Sequence, residues 1–208
     1  MTEEEARAWI IQADVSRETF ERLDQLADLV REEAGRQNLV SRSTLDQLWA
    51  RHIVDSVQLL ALAPAGRWLD IGSGAGFPGL VIAAASERLV TLAEPRALRA
   101  DFLRRAAASL GIEQRVIVHA GKVETLPVGH LFEIISARAV APATDLFWMS
   151  AAVANHATVW LLPKGRTAAG ELATARETWQ GEFRLVPSVT DPAAAIIVAR
   201  DIRPRTRS

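Results

Sequence analysis

Apolar and polar positions divide this chain into two regimes. Up to about residue 34 the apolar positions recur at helical spacing, with Leu23, Leu26, Leu29 and Val30 on one face, so residues 3–34 are read as helices. Gly35 is placed to end the second of them as its C′ residue. After Asn38-Leu39-Val40-Ser41, the stripe Leu45, Leu48, Trp49, Ile53, Val57 and Leu60 predicts a helix running to about residue 62, capped by Ser43 or Thr44. Pro64-Ala65-Gly66 then breaks the chain. Beyond it, short apolar runs alternate with helical patterns. Strands are expected near 67–71, 89–93, 115–119, 133–137 and 158–162, with weaker ones at 183–186 and 195–199. Helices are expected near 79–86, 96–110, 142–154 and 169–179. This alternation predicts an α/β domain over 65–208, with a mostly parallel sheet covered on both faces, and a helical extension over 1–64 packed on it. Ligands in such sheets bind outside the carboxyl ends of the strands.

The chemistry concentrates at one such end. Trp68-Leu69-Asp70-Ile71 runs into Gly72-Ser73-Gly74-Ala75-Gly76-Phe77-Pro78-Gly79, a loop whose glycines permit close approach of a ligand to the backbone. Asp70 precedes the first glycine, where it would repel a diphosphate. The next strand, 89–93, ends in Glu94, whose carboxylate can accept from both hydroxyls of a ribose. An acid, a glycine loop and a second acid one βαβ unit later suit a cationic nucleoside, above all S-adenosylmethionine. They argue against a dinucleotide oxidoreductase.

Composition narrows the chemistry further. The chain has 208 residues, 49% of them apolar, enough for a full core. It has no cysteine, hence no disulfide, thiolate metal site or cysteine nucleophile. Its four histidines lack metal-ligand spacing, so no metal is expected. The acidic start, Met1-Thr2-Glu3-Glu4-Glu5, has no apolar h-region, and no run approaches the roughly 20 residues that span a bilayer. A cytoplasmic protein with no membrane partner is expected. The net charge of −1 makes no global case for nucleic acid. Locally, Arg96, Arg99, Arg104 and Arg105 share a predicted helix, and Arg200, Arg203, Arg205 and Arg207 crowd the tail. These read equally well as solvated faces. Of 24 cationic residues only Lys122 and Lys164 are lysine, and both fall at the carboxyl edge of the sheet.

Each candidate has a structural alternative. Gly72, Gly74 and Gly76 would pack against the cofactor, and Phe77 would cover it or anchor the loop. Pro78 fits a first helical turn. Asp70 would meet the ligand's ammonium group or cap local backbone N–H groups. Glu94 would clamp the ribose or cap the following helix. Val123 and Glu124 follow the third strand, where folds of this kind contact adenine, although Glu124 can also be a solvated loop acid. Arg138 ends the fourth strand, where a charge needs a partner. His52 and Asp55, three apart, are read as a local hydrogen-bonded pair.

At these residues the chain resembles the RsmG (glucose-inhibited division protein B) family of bacterial 16S ribosomal RNA guanine-N7 methyltransferases. The resemblance covers about residues 38–165. It is carried by Asn38-Leu39-Val40, Arg51-His52-Ile53-Val54-Asp55-Ser56, residues 69–79, Val123-Glu124, Ser136-Ala137-Arg138-Ala139 and Pro163-Lys164-Gly165. It implies a Rossmann-like class I methyltransferase with a seven-stranded sheet and a helical N-terminal extension. It also implies cofactor contacts at Gly72, Phe77, Val123, Glu124 and Arg138. The chain departs from the pattern at Pro95-Arg96-Ala97-Leu98-Arg99, which lacks the lysines expected there, and beyond about residue 190.

The reaction so implied is an in-line displacement, in which guanine N7 takes the sulfonium methyl and S-adenosylhomocysteine leaves. N7 carries a lone pair and no proton, so no general base is needed, and orientation and water exclusion do the work. The Asn/Asp-Pro-Pro-aromatic motif typical of amine methylation is absent after the fourth strand. Arg138 and Lys164 are the candidates for holding the guanine O6 edge or a phosphate. The expected partner is 16S rRNA in the small ribosomal subunit, and the protein is expected to be a monomer. The alternatives are a methyltransferase acting on a small molecule or protein, and a catalytically silent assembly factor.

Overall fold

A computed structural model describes residues 1–13 and 15–205. Arg207 of the basic tail lies outside the described residues. Helices α1 (Glu3–Gln12) and α2 (Arg17–Ala34) start on side-chain caps. Thr2 and Glu5 form a reciprocal capping box, and Ser16 accepts from the Thr19 N–H. Gly35 ends α2 as its C-cap, with a right-handed φ of −72°, where the C′ place was expected of it.

The expected single helix up to residue 62 is broken. Helix α3 (Arg42–Leu45) begins after Ser41, not at Ser43 or Thr44, and is only one turn long. The chain restarts as a π-helical turn, Trp49–Ile53, continues as α4 (Val54–Val57), and tightens into a 3₁₀ turn, Gln58–Leu62. The restart has a tertiary cause. The Glu3 carboxylate of α1 accepts from the Trp49 and Ala50 N–H groups, at 3.1 and 2.7 Å, and so caps a helix 46 residues away.

The sheet has the order β3-β2-β1-β4-β5-β7-β6. Strands β1 (Trp68–Ile71), β2 (Val90–Ala93), β3 (Val116–His119), β4 (Ile134–Ala137) and β5 (Val159–Lys164) are parallel. The hairpin β6 (Trp179–Pro187) and β7 (Ala195–Pro204) closes one edge, with β7 antiparallel to β5. Both hairpin strands run longer than their apolar cores, because β6 is an edge strand with mostly exposed residues. Between the strands lie α5 (Gly79–Ala85), α6 (Ala97–Ser109), α7 (Ala143–Ser150) and α8 (Ala168–Thr178). Strand order reverses between β1 and β4, which places the expected ligand crevice at their carboxyl ends.

Each face of the sheet has its own core. One packs Trp160, Phe147, Trp179 and Leu172 beside α7 and α8. The other joins Ile10, Leu23, Leu26 and Val30 of the extension to Leu80, Val81, Phe102 and Leu103. The extension therefore covers the sheet and is continuous with its core. Leu26 is fully buried there. Leu26→Ala is expected to cost about 2–5 kcal/mol. It should lower one shared denaturation transition, read by circular dichroism, and a separate early melting of the extension would contradict this.

Candidate active site

The glycine loop is held from below by Asp70. This side chain is fully buried, its Oδ2 accepts from the Gly79 N–H at 3.1 Å, and its Oδ1 accepts from the Ser136 hydroxyl at 2.8 Å. The Trp68 indole donates in turn to Ser136 at 2.8 Å. Gly79 has to be glycine for this, since a Cβ there would stand 2.8 Å from Asp70 Oδ2 and collide with Leu92. Asp70 thus takes the capping role, and its carboxylate faces α5. Pro78 sits just before α5, where its carbonyl accepts from Ile82.

Glu94 secures the same loop from the side. Its two oxygens accept from the Gly74 and Arg96 N–H groups, both at 2.9 Å, and it is buried. It therefore caps the turn into α6, and each oxygen keeps a second lone pair for a further donor. Gly74 itself has φ +55°, and the direction a side chain would take from it meets nothing closer than 3.7 Å. Gly72 and Gly76 differ, for a Cβ at either would collide with Val140 or Leu80. Of these three loop glycines, Gly74 alone offers bare backbone to open space.

That space is a cleft of about 300 Å³ lined by the loop, Phe77, Arg99, Arg138 and, from the extension, Leu39–Ser41 and Thr44. A second cleft of about 500 Å³ adjoins it, bounded by Arg51, Asp55, Lys164, Glu171 and the 188–196 segment. Thr44, His52, Arg138 and Ala139 line both. Ala139 holds a left-handed φ of +56°, which for a residue with a Cβ is strain stored where the clefts meet.

Arg138 is anchored at this junction. It donates to the Arg51 carbonyl at 3.0 Å, lies 3.9 Å from Asp55, and places its guanidinium 5.5 Å from the Phe77 ring centre. Burial pulls its pKa down, although Asp55 and Asp70 oppose this. The expected His52–Asp55 pair does not form. Asp55 Oδ1 instead accepts from Gln58, Ser188 and Thr190, while His52 stacks on Phe77 at 4.8 Å with the rings 9° apart. Phe77 is buried, so it anchors the loop while still lining the smaller cleft.

Other candidates stand further off. Lys164 cannot swing freely over the larger cleft, for its ammonium donates to the Ala141 carbonyl at 2.7 Å and pairs with Glu171 at 2.8 Å. It fastens the loop after β4 to α8. Val123 and Glu124 sit in the turn after β3 at the same sheet edge, and neither lines either of these two clefts. Val123 packs with Leu69, Ile71 and Ala93, and Glu124 is exposed. Lys122 is exposed beside them. Of the basic helix, Arg99 donates to the Asn38 carbonyl, Arg104 pairs with Asp101 and Arg105 with Glu33. The sequence reading missed how the Asp55 network ties the extension to the 188–190 segment. Its one signal was the Arg51-His52 to Asp55-Ser56 motif.

A parallel sheet with a glycine loop after β1, an acid ending β2 and a cleft at the β1–β4 switch point defines a class I methyltransferase. Solved structures agree on the fold. A methyltransferase from Geobacter sulfurreducens matches with a TM-score of 0.59 at 14% identity, covering 84% of this chain and 89% of that one. An O-methyltransferase of Bacillus cereus, in complex with SAH, gives 0.57 at 15% identity, covering 85% and 90%. A family model described as rRNA small subunit methyltransferase G matches residues 19–193, wider than the expected 38–165. The chain belongs to that family and is an S-adenosylmethionine-dependent methyltransferase. A Ribosomal RNA small subunit methyltransferase G of Rhizorhabdus wittichii is 50% identical over 99% of this chain and 95% of its own length. Its namesake in Zymomonas mobilis is 45% identical over 99% and 96%. The alignment with these relatives therefore extends into the tail that was expected to diverge.

Burial raises the Asp70 pKa from 3.8 to about 6, against hydrogen bonds from Ser136, Ser73 and Gly79. The folded chain thus binds this proton more tightly than the unfolded chain. The stability linked to protonated Asp70 is present at low pH and is lost as pH rises through about 6. Asp70→Asn should remove that slope. Between pH 4 and 7 the wild-type advantage over the variant should shrink by an amount on the order of 2–3 kcal/mol. Urea titrations at both pH values measure it, and parallel curves would refute it.

Proposed function

We propose that this protein methylates guanine N7 in 16S rRNA of the small ribosomal subunit, as a cytoplasmic monomer. The supporting observation is the pair of adjoining clefts at the carboxyl edge, one bordered by bare backbone at Gly74 and both lined by His52, Arg138 and Ala139. The smaller cleft takes the cofactor and the larger takes the acceptor base. Bound S-adenosylmethionine supplies an electrophilic methyl group on a sulfonium. Gly72, Gly74 and Phe77 line the smaller cleft and hold the cofactor, with Arg138 on the methionine carboxylate. Gly76 keeps the loop's turn, and Glu94, Val123 and Glu124 lie beyond the cleft along the sheet edge, toward the ribose and adenine. Asp70 acts beneath the loop and keeps it in shape.

The acceptor side needs orientation more than proton transfer. N7 has an in-plane lone pair and no proton to remove. The acids at the junction are already committed, Asp55 to Gln58, Ser188 and Thr190 and Asp70 to Gly79 and Ser136. Burial, reinforced by Arg138 and Arg51, lowers the His52 pKa to about 3, so that its ring stays neutral. Lys164 shapes the acceptor cleft by holding the Ala141 loop.

Nucleoside mass spectrometry of small-subunit rRNA should show 7-methylguanosine appear when the protein is supplied to subunits lacking the mark. Modification of another atom, or none, would defeat the proposal. Gly74→Val should weaken S-adenosylhomocysteine binding tenfold or more by calorimetry, since Val both resists the positive φ and fills the cleft. Single-turnover rates at saturating cofactor should stay nearly flat from about pH 6 to 9. A rate rising tenfold per pH unit would reveal a base. Gel filtration tests the monomer.

A further inference from the structure

His52 occupies a position that packing alone does not explain. Both of its ring nitrogens are buried without a hydrogen-bond partner among the described residues. Leaving buried polar groups unmade costs about 1–3 kcal/mol, which a phenylalanine in the same stack on Phe77 would avoid. The residue sits in the π-helical turn Trp49–Ile53, a distortion frequent at functional sites, and it lines both clefts beside strained Ala139. The nearest acid in sequence, Asp55, is engaged elsewhere.

The guanine edge that carries N7 also carries O6, and an arginine reads the two together through a bidentate pair. Such a pair would occupy the N7 lone pair and block the reaction. A donor suited to this acceptor has one N–H to give and aims it at O6. A neutral imidazole has one N–H and one bare nitrogen.

We propose that His52 orients the acceptor guanine, donating a single ring N–H to its O6 and leaving N7 free. This rests on the reaction proposed above. The nitrogens are covered in the structure, so the purine has to shift the cleft wall as it enters. Among the residues lining the larger cleft, Arg51 is exposed and Asp191 half-buried, and the two are only loosely paired, at 3.8 Å.

Two substitutions separate this role from packing. His52→Phe keeps the stack and loses the N–H, while His52→Gln keeps a donor and loses the aromatic ring. With undermethylated small subunits as substrate, His52→Phe should lower kcat/KM about 10–100-fold. It should leave S-adenosylhomocysteine affinity within about twofold and the denaturation midpoint no lower than wild type. His52→Gln should recover at least fivefold of that loss. If His52→Phe does not fold, His52→Met serves as the donor-free variant with the same expectations. Wild-type turnover in the donor-free variant, or no recovery in His52→Gln, overturns the assignment. Failure of the wild-type protein to form 7-methylguanosine overturns the proposed reaction instead.

Discussion

A carboxylate with no access to water organises this protein. Asp70 ends β1 inside the core, and an ionisable group there is tolerated only when its partners are fixed. Gly79 supplies the first amide of α5, Ser136 supplies a hydroxyl from β4, and the Trp68 indole locks that hydroxyl. Three elements that meet at the switch point of the sheet are thereby held to one geometry. The glycine loop hangs between Asp70 below and Glu94 at its side, so its shape is set by two buried acids before any cofactor arrives.

The strands were legible because each is a short apolar run between breakers, and a buried parallel strand has no other signature. The stripe from Leu45 to Leu60 misled because its periodicity is real while its continuity is not. The Glu3 carboxylate takes the Trp49 and Ala50 amides, and no local pattern announces a cap supplied from another helix. Site residues were legible by type and less so by direction. Asp70 and Glu94 are where the pattern put them, but both turn toward backbone amides. Lys164 is at its expected edge and is already spent on Ala141 and Glu171. His52 was read as half of a pair with Asp55, because its true neighbour, Phe77, is distant in sequence and near only after folding.

The extension helps to wall both clefts. Leu39–Ser41 and Thr44 line the smaller one, the Arg51 carbonyl receives Arg138, and His52 stacks on the glycine loop through Phe77. Its helices also share a core with α5 and α6. A methyltransferase sheet is thus walled at its clefts by about four turns of irregular helix, in which π and 3₁₀ segments flank a single α-helical turn.

The ties between Asp55, Gln58 and the Ser188–Thr190 segment join the first third of the chain to its last tenth. Chains leave the ribosome N-terminus first, so residues 51–58 emerge long before the segment that fastens them. A nascent chain carries its glycine loop and the smaller cleft early, but the wall of the larger cleft closes only near the end of translation. The protein is therefore incomplete for as long as it remains attached to the ribosome that makes it.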